Sequence, residues 1–510
     1  MKSVFGLVQK DRYTRIGAPG SLVGTKISKF EVPVARRSWL SSSAPSRSGR
    51  NGRLPSWRRE ELLTTLWLVP TALFGAAALL FLATYELDLA VSHHDLGLPT
   101  WIHTLAPSDA REVLSAIAAA VITVVGVVFS ITILALTLAS QQFGPRMMRN
   151  FVRDVGNQLT LGIWVATFVY AVLTLGSISA GTHQTFVPYI SITVTEVLLM
   201  ADVVVLIYFI NHIAKSIQLP EVVASIAGDL FRSIDAEFPD EAGTEPVSPA
   251  DVWDAQRLPD PAARPLPQLL ESIESEGTTV QADRSGYLQF VGYQQLVDIA
   301  ENAGAVIRLT HRPGHFIVAG RPLALVWPPK AATQVRAELG RSHLTGPHRT
   351  LIQDPVFAID QLVEIAIRAL SPAVNDTFTA LTCIDWLSAG LCRMSTRTLA
   401  EGVYRDRLGR VRLIESPPSY ARMVNRATDK IRQASRGMPA VVIRLIDALA
   451  HVSECTTSSR QRDVLIRQAE MVLRAAERDI TEPDDLAQIR ERFENLVAIS
   501  AERQVTATAP

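Results

Sequence analysis

Four long apolar stretches crowd into the first 215 residues of this 510-residue chain, and they limit its fold more than any other feature. They run from Thr64 to Thr84, from about Val113 to Gln142, from Leu159 to Ser179, and from Pro188 to about His212. Each supplies the roughly 20 residues that an α-helix needs to cross the hydrocarbon of a bilayer. Hydrophobic residues make up 48% of the whole chain, and most of the excess lies here. The expectation is an α-helical membrane domain of four transmembrane helices, followed by a C-terminal α+β region that folds in water.

Charge orients these spans, because Lys and Arg collect on the cytoplasmic side of membrane helices. The first 59 residues carry thirteen basic residues against Asp11 and Glu31. The serine- and arginine-rich run "SWLSSSAPSRSGRNGR" lacks an apolar core, so it is no secretory signal peptide. It has the composition of an organellar transit peptide, but a disordered basic tail on an anionic membrane face is preferred. Tyr85 to Ala110 has no Lys or Arg, and Arg111 alone precedes the second span. Arg146, Arg149 and Arg153 follow that span, Gly181 to Val187 has no basic residue, and Lys215 follows the fourth. Both termini are therefore expected in the cytoplasm.

The second span raises the functional question. At about 30 residues it is some 45 Å long as a helix, against roughly 30 Å of hydrocarbon. It runs into Ser140, Gln141 and Gln142 before Gly144-Pro145 breaks it. At about 100° per residue, Ser115, Ala119, Thr123, Gly126, Ser130, Thr137 and Gln141 share one narrow sector, with Ile133 its apolar member. Small residues let helices approach closely, so packing is one reading of the stripe and a water-filled path is the other. The third span has a similar stripe of Thr160, Thr167 and Thr174. The fourth carries Glu196 and Asp202. Acids at such depth mark cation or proton paths, or are protonated and lock helices together by hydrogen bonds. Ser191 and Thr195 share a face with Asp202. Between the first two spans lie His93, His94, Asp95 and His103, at no metal-site spacing, and Trp101 suits an interfacial anchor.

Beyond the fourth span, Glu221 to Phe238 reads as an amphipathic helix and Pro239 to Pro267 as a linker. "GYLQFV" and "AVIRLTH" read as strands around the helix "YQQLVDIAENAG". "PGHFIVAGRPLALVW" spaces Gly314, Ile317, Gly320 and Leu323 by three. It resembles the hairpin of biotinyl- and lipoyl-type barrel-sandwich modules, but their carrier Met-Lys pair is absent, so no covalent cofactor is expected. From Arg349 the chain is mainly helical. Leu362, Ile365, Ala366 and Leu370 form an apolar face, and the helix breaks at Ser371-Pro372. Asn375 or Asp376 caps the next helix. Asp354, Asp360, Glu364, Asn375, Asp376 and Asp385 form a candidate polar cluster for a cation or ligand, with capping and surface polarity as the preferred reading. "YRDRLGRVRLIE" reads as a hairpin around Leu408-Gly409, and helices from about Ser419 to Ala501 close the chain. The expected organisation is a tail (1–60), a membrane domain (61–215), a juxtamembrane helix and linker (216–267), a small α+β module (268–348), a helical cytoplasmic domain (349–501) and a frayed end (502–510).

Cys383, Cys392 and Cys455 match neither a disulfide framework nor a zinc motif. No phosphate loop, dinucleotide fingerprint or hydrolase or kinase signature is present. Neither a metal nor a cofactor is expected, nor an enzyme. A net charge of zero argues against nucleic acid as a partner. The strings "VFSITILALTLASQQFGPRMMRNFVRD", "SGYLQFV", "PGHFIVAGRPL" and "QLVEIAIRALSPAVNDTFTALTCIDWL" together resemble a widespread bacterial family of predicted membrane proteins, a domain of unknown function. The resemblance runs from about Leu62 to the late 490s. It implies a bacterial inner-membrane protein with four spans, and it brings no catalytic residue. The functional expectation is an oligomeric channel-like or transport protein whose partners are the bilayer, further copies of the chain and an ion. The alternative is a membrane-anchored sensor or scaffold whose cytoplasmic domain binds a ligand or partner.

Overall fold

A computed structural model describes residues 68–94, 105–143, 154–180, 185–216, 218–238, 264–397 and 401–508. The basic segment 1–60, the residues Asp95 and His103, the arginines at 146, 149 and 153 and most of the linker lie outside the described residues. So do the side chains of His93, His94 and Gln141.

Among the described residues, four helices are long and apolar enough to cross a membrane. They are α1 (Leu68–His94), α2 (Pro107–Phe143), α3 (Val155–Ser177) and α4 (Tyr189–Ser216). Helix α2 opens on Pro107, which suits a first helical position because its missing N–H would have no partner there. Its 37 residues make it about 55 Å long. A two-residue pair, β1 (Ser179–Ala180) and β2 (Thr185–Phe186), joins α3 to α4. Helix α3 is the hub and packs against the other three. Ile117, Val121 and Val128 of α2 meet Trp164 of α3 and Phe209 of α4 in a shared core. The Trp164 and Phe209 rings meet edge to face at 5.8 Å. The outer faces present Leu79, Met200, Val204 and Ile207, each more than 60% exposed, a surface suited to acyl chains rather than water.

Helix α5 (Leu219–Glu237) follows α4 and is strongly amphipathic. Val223, Ile226, Leu230 and Ile234 are buried, each contributing roughly 1.5–3 kcal/mol of burial. They join the core of the C-terminal region, between α9 (Pro355–Ala369) and α10 (Thr377–Ser395). Before these come α6 (Leu266–Glu276), β3 (Thr278–Gln281), β4 (Gly286–Val291), α7 (Tyr293–Asn302), β5 (Val306–Leu309), β6 (Phe316–Ile317), β7 (Pro322–Trp327), α8 (Ala332–Leu339) and β8 (His343–Gly346). After α10 come β9 (Val403–Arg405), β10 (Val411–Ile414) and the helices α11 (Tyr420–Ala434), α12 (Pro439–Cys455), α13 (Ser459–Asp479) and α14 (Pro483–Thr508).

The strands form a five-stranded sheet in the order β3-β7-β5-β10-β9 and a three-stranded sheet in the order β6-β4-β8. The glycine-spaced stretch passes from one to the other: β6 pairs with β4, and β7 pairs with β3 and β5. The turn glycines Gly314 (φ 88°) and Gly320 (φ 78°) take left-handed backbone, which glycine adopts without strain. The β9–β10 hairpin, distant in sequence, joins the first sheet by parallel pairing of β10 with β5. Arg412 secures that join. It is 1% exposed, donates from Nε to Asp406 at 2.9 Å and reaches the Ala305 carbonyl at 3.2 Å. The cores of α2 and the C-terminal region meet at Leu136, which packs on the latter, where α2 touches α9.

Candidate functional site

The two polar stripes of the membrane domain face opposite ways. Thr160, Thr167 and Thr174 of α3 are buried, at 2%, 1% and 0% exposure. On α2, Ser115, Thr123, Gly126, Ser130 and Thr137 are all exposed on the single chain, while Leu114, Ile117, Ala118, Val121 and Val128 face the bundle. The hydroxyls of the exposed stripe are satisfied by their own helix. Thr123 donates to the Ala119 carbonyl (2.6 Å), Ser130 to Gly126 (2.9 Å) and Thr137 to Ile133 (2.8 Å). Back-bonding of this kind lets a hydroxyl leave water without losing a partner. Among the described residues, the α2 stripe is left open rather than packed against another helix.

Asp202 lies elsewhere, buried between α3 and α4. Thr167 Oγ1 donates to its Oδ1 at 3.1 Å, and Trp164 Nε1 reaches its backbone carbonyl at 3.4 Å. Glu196 is half-exposed on another face of α4. The candidate path residues thus divide between the outer face of α2, the bundle interior and a third surface.

Two further acids secure the bundle, and the sequence reading passed over both. Asp88 is buried in α1, which runs ten residues beyond the expected end at Thr84. Its carboxylate accepts from the backbone N–H groups of Ile190 (2.8 Å) and Ser191 (2.9 Å) and from Ser191 Oγ (2.7 Å). It thereby caps the first turn of α4 from a neighbouring helix, where the helix dipole favours negative charge. Thr84 extends the network to Tyr170 Oη at 2.7 Å. At the opposite end, Asp154 caps α3 through Gly156 N (2.9 Å) and meets His212 Nε2 of α4 at 2.5 Å. The i, i+4 spacing of Thr84 and Asp88 was the available signal for the longer α1.

The C-terminal region holds a cleft of about 350 Å³, lined by His311, Arg312, Gly314, His315, Arg349, Asp354, Asp360, Arg422 and Arg426 among others. Three pieces of chain build it: the turn after β5, the segment entering α9, and one face of α11. Asp354 is the N-cap of α9 and accepts from Phe357 N at 3.2 Å. Arg349 donates from Nε to Asp354 (2.8 Å) and from Nη1 to Asp360 (2.6 Å), and its guanidinium stacks 4.9 Å above the Phe357 ring. Arg426 forks onto the same Asp360 through Nε and Nη2. Gly314 has to be glycine, because a side chain there would strike the Asp354 carboxylate.

Arg312 donates to the Ser416 carbonyl at 3.2 Å. Burial and the neighbouring Arg422 lower its pKa. Burial, then Arg312 and Arg422, push His315 down to about 4, so it is neutral at physiological pH. Its Nε2 is buried without a hydrogen-bond partner among the described residues. A smaller recess shares Arg312, Pro313, Asp354 and Val356 with the cleft and is lined by Glu237, Tyr293, Tyr404 and Glu415. Tyr404 Oη donates to Glu415 Oε1 at 2.8 Å. Burial, Glu415 and Asp354 push Glu237 up to about 7.

Of the six polar residues expected as a cluster, only Asp354 and Asp360 line the cleft, joined by Arg349. Glu364 lies half-exposed further along α9. Asn375 is a turn residue with φ 49°. Asp376 caps α10 through Thr379 N at 3.1 Å. Asp385 pairs with Arg444 at 3.2 Å on the surface. The four arginines and His315 had not been singled out. Arg422 and Arg426, one helical turn apart, were the legible hint.

Four helices fit to cross a membrane, carrying a mostly helical region with two small mixed-in sheets, define a multi-span membrane protein. The chain belongs to the family of predicted membrane proteins designated DUF2254, which it matches over residues 64–451. It is 30% identical over 473 residues to uncharacterized proteins of Mycobacterium bovis and Mycobacterium tuberculosis, a match covering 90% of this chain and 85% of each relative. No solved structure matches it.

Proposed function

We propose that the chain acts as an oligomeric, channel-like protein of a bacterial inner membrane, with the α2 stripe turned toward neighbouring copies around a shared path. One observation carries this reading: the small and polar face of α2 points away from its own bundle. Small residues facing lipid gain little, whereas facing a second helix they permit close approach, and around an axis they admit water. The distribution of Lys and Arg supports cytoplasmic termini and a cytoplasmic C-terminal region. The role is non-enzymatic in this reading, with an ion as cargo.

The test is ion flux through purified protein in liposomes, wild type beside Ser130→Leu and Asp202→Asn. Ser130→Leu fills the stripe and should cut flux at least tenfold. Asp202→Asn, inside the bundle, should act through stability and leave the flux of folded protein nearly unchanged. Absence of wild-type flux across several ions, with folded protein confirmed, would sink the channel.

The second reading, a membrane-anchored sensor, draws on the continuity of α4, α5 and α9. Helix α5 carries the end of α4 into the core of the C-terminal region, and α9, which lines the arginine cleft, touches α2. A ligand held there would be linked mechanically to two spans.

A further inference from the structure

We propose that the cleft between the β5 turn, α9 and α11 binds a small organic molecule through a phosphoryl group. Four guanidiniums and two carboxylates line it. Both carboxylates are already engaged: Arg349 bridges Asp354 and Asp360, and Arg426 forks onto Asp360. Arg312 and Arg422 have no acid within ion-pair distance among the described residues. Two guanidiniums without acids, facing one cleft, repel each other unless an anion sits between them. Burial first and then Arg422 lower the Arg312 pKa, against the opposing pull of Asp354 and Glu415.

His315 lines the same cleft. Its Nε2 is shut away from solvent, with no hydrogen-bond partner among the described residues. Held neutral by burial and by the arginines, the imidazole adds no positive charge of its own to the cleft.

A phosphoryl group suits this set because its several oxygens accept from more than one guanidinium fork at once. The cleft, about 350 Å³, falls in the range of small-molecule sites and is larger than phosphate alone. The exposed ring of Phe316, at 53% exposure, and Val356 offer apolar contact to the remainder. A phosphomonoester the size of a nucleotide or sugar phosphate fits this description. The same chemistry is found on the headgroup of a phosphomonoester lipid.

The proposal rests on the sensing reading's premise that this region holds a ligand, and is independent of whether α2 lines a pore. The experiment follows thermal unfolding of the full chain in nanodiscs of neutral lipid, titrated with inorganic phosphate, AMP and citrate at constant ionic strength. A parallel sample contains phosphatidic acid in the disc. A ligand that binds the native state raises the midpoint by mass action.

The expected result is saturable stabilisation by AMP and phosphate, with apparent affinity falling about tenfold or more in Arg422→Gln and in Arg312→Gln. Arg444→Gln, which removes only a surface pair with Asp385, should match wild type. Arg422 is exposed and its side chain makes no hydrogen bond among the described residues, so its variant should keep the fold. Stabilisation by phosphatidic acid alone, lost in Arg422→Gln, supports phosphoryl binding and identifies the lipid as its source. Stabilisation by citrate alone overturns the phosphoryl assignment and leaves a ligand site. Response to none of the probes, or a response indifferent to both arginine variants, overturns the site and the premise together.

Discussion

At the scale of single residues, four aspartates hold helix ends and four arginines meet in one cleft. Asp88, Asp154, Asp354 and Asp376 each accept from backbone N–H groups in the first turn of a helix. Asp88 does so across two helices, so it sets the position of α4 as well as its first turn. Glu237 behaves differently, since it is buried beside Glu415 and Asp354 and its pKa rises to about 7 from 4.5. An acid whose pKa rises on folding takes up protons as the chain folds. Stability then falls as pH climbs from about 4.5 to 7 and levels off above, by up to about 3 kcal/mol. His315, lowered on folding, contributes the opposite slope between about 6.5 and 4. Comparing wild type with Glu237→Gln therefore isolates the glutamate. Denaturant midpoints should converge near pH 4.5, with the variant ahead at pH 7.5. Equal midpoints at both pH values would mean that Glu237 is ionised as readily in the fold as in the unfolded chain.

Among the elements, α3 is the one the membrane domain cannot shift. It touches all three other spans, and its contact with α1 depends on Gly162. A Cβ there would lie 2.6 Å from Leu73 Cδ1 and 3.1 Å from the backbone Cα of Pro70. The leucine can rotate aside, but the backbone cannot. Gly162→Val should separate α1 from α3 and cost about 1–3 kcal/mol, seen as a lower unfolding temperature in detergent. An unchanged midpoint would show that α1 adjusts freely. Helix α2 is the contrasting element. Among the described residues only one of its faces is packed, and its far end reaches the C-terminal core at Leu136. The α2 stripe and the α3 stripe look alike in sequence, both small hydroxyl residues at helical spacing. Their periodicity identified each face without saying which way it turned.

The whole molecule joins a membrane bundle to a C-terminal region through α5 and the α2–α9 contact. If the outward stripe of α2 is an interface between copies, the particle in mild detergent should have a mass that is a whole-number multiple of the chain mass. Thr123→Leu together with Ser130→Leu should shift it toward the monomer. A monomer for wild type, measured by light scattering with the detergent contribution removed, would leave the stripe facing lipid and remove the basis for a shared path. The cleft and the outward stripe of α2 are built from different residues, so each can be substituted without altering the other.

Sequence alone determined the presence of the membrane helices, the amphipathic α5, the break after α9 and a cap at Asn375 or Asp376. These follow from hydropathy, periodicity and local hydrogen-bonding chemistry within a few turns of chain. Tertiary structure decided that the α3 stripe packs inward while the α2 stripe stays open, and that a hairpin near residue 410 completes a sheet begun near residue 280. It also decided that Arg312, Arg349, Arg422 and Arg426 meet around Asp354 and Asp360. Residues a hundred positions apart converge only through the packing of the elements that carry them, and no local pattern records that convergence.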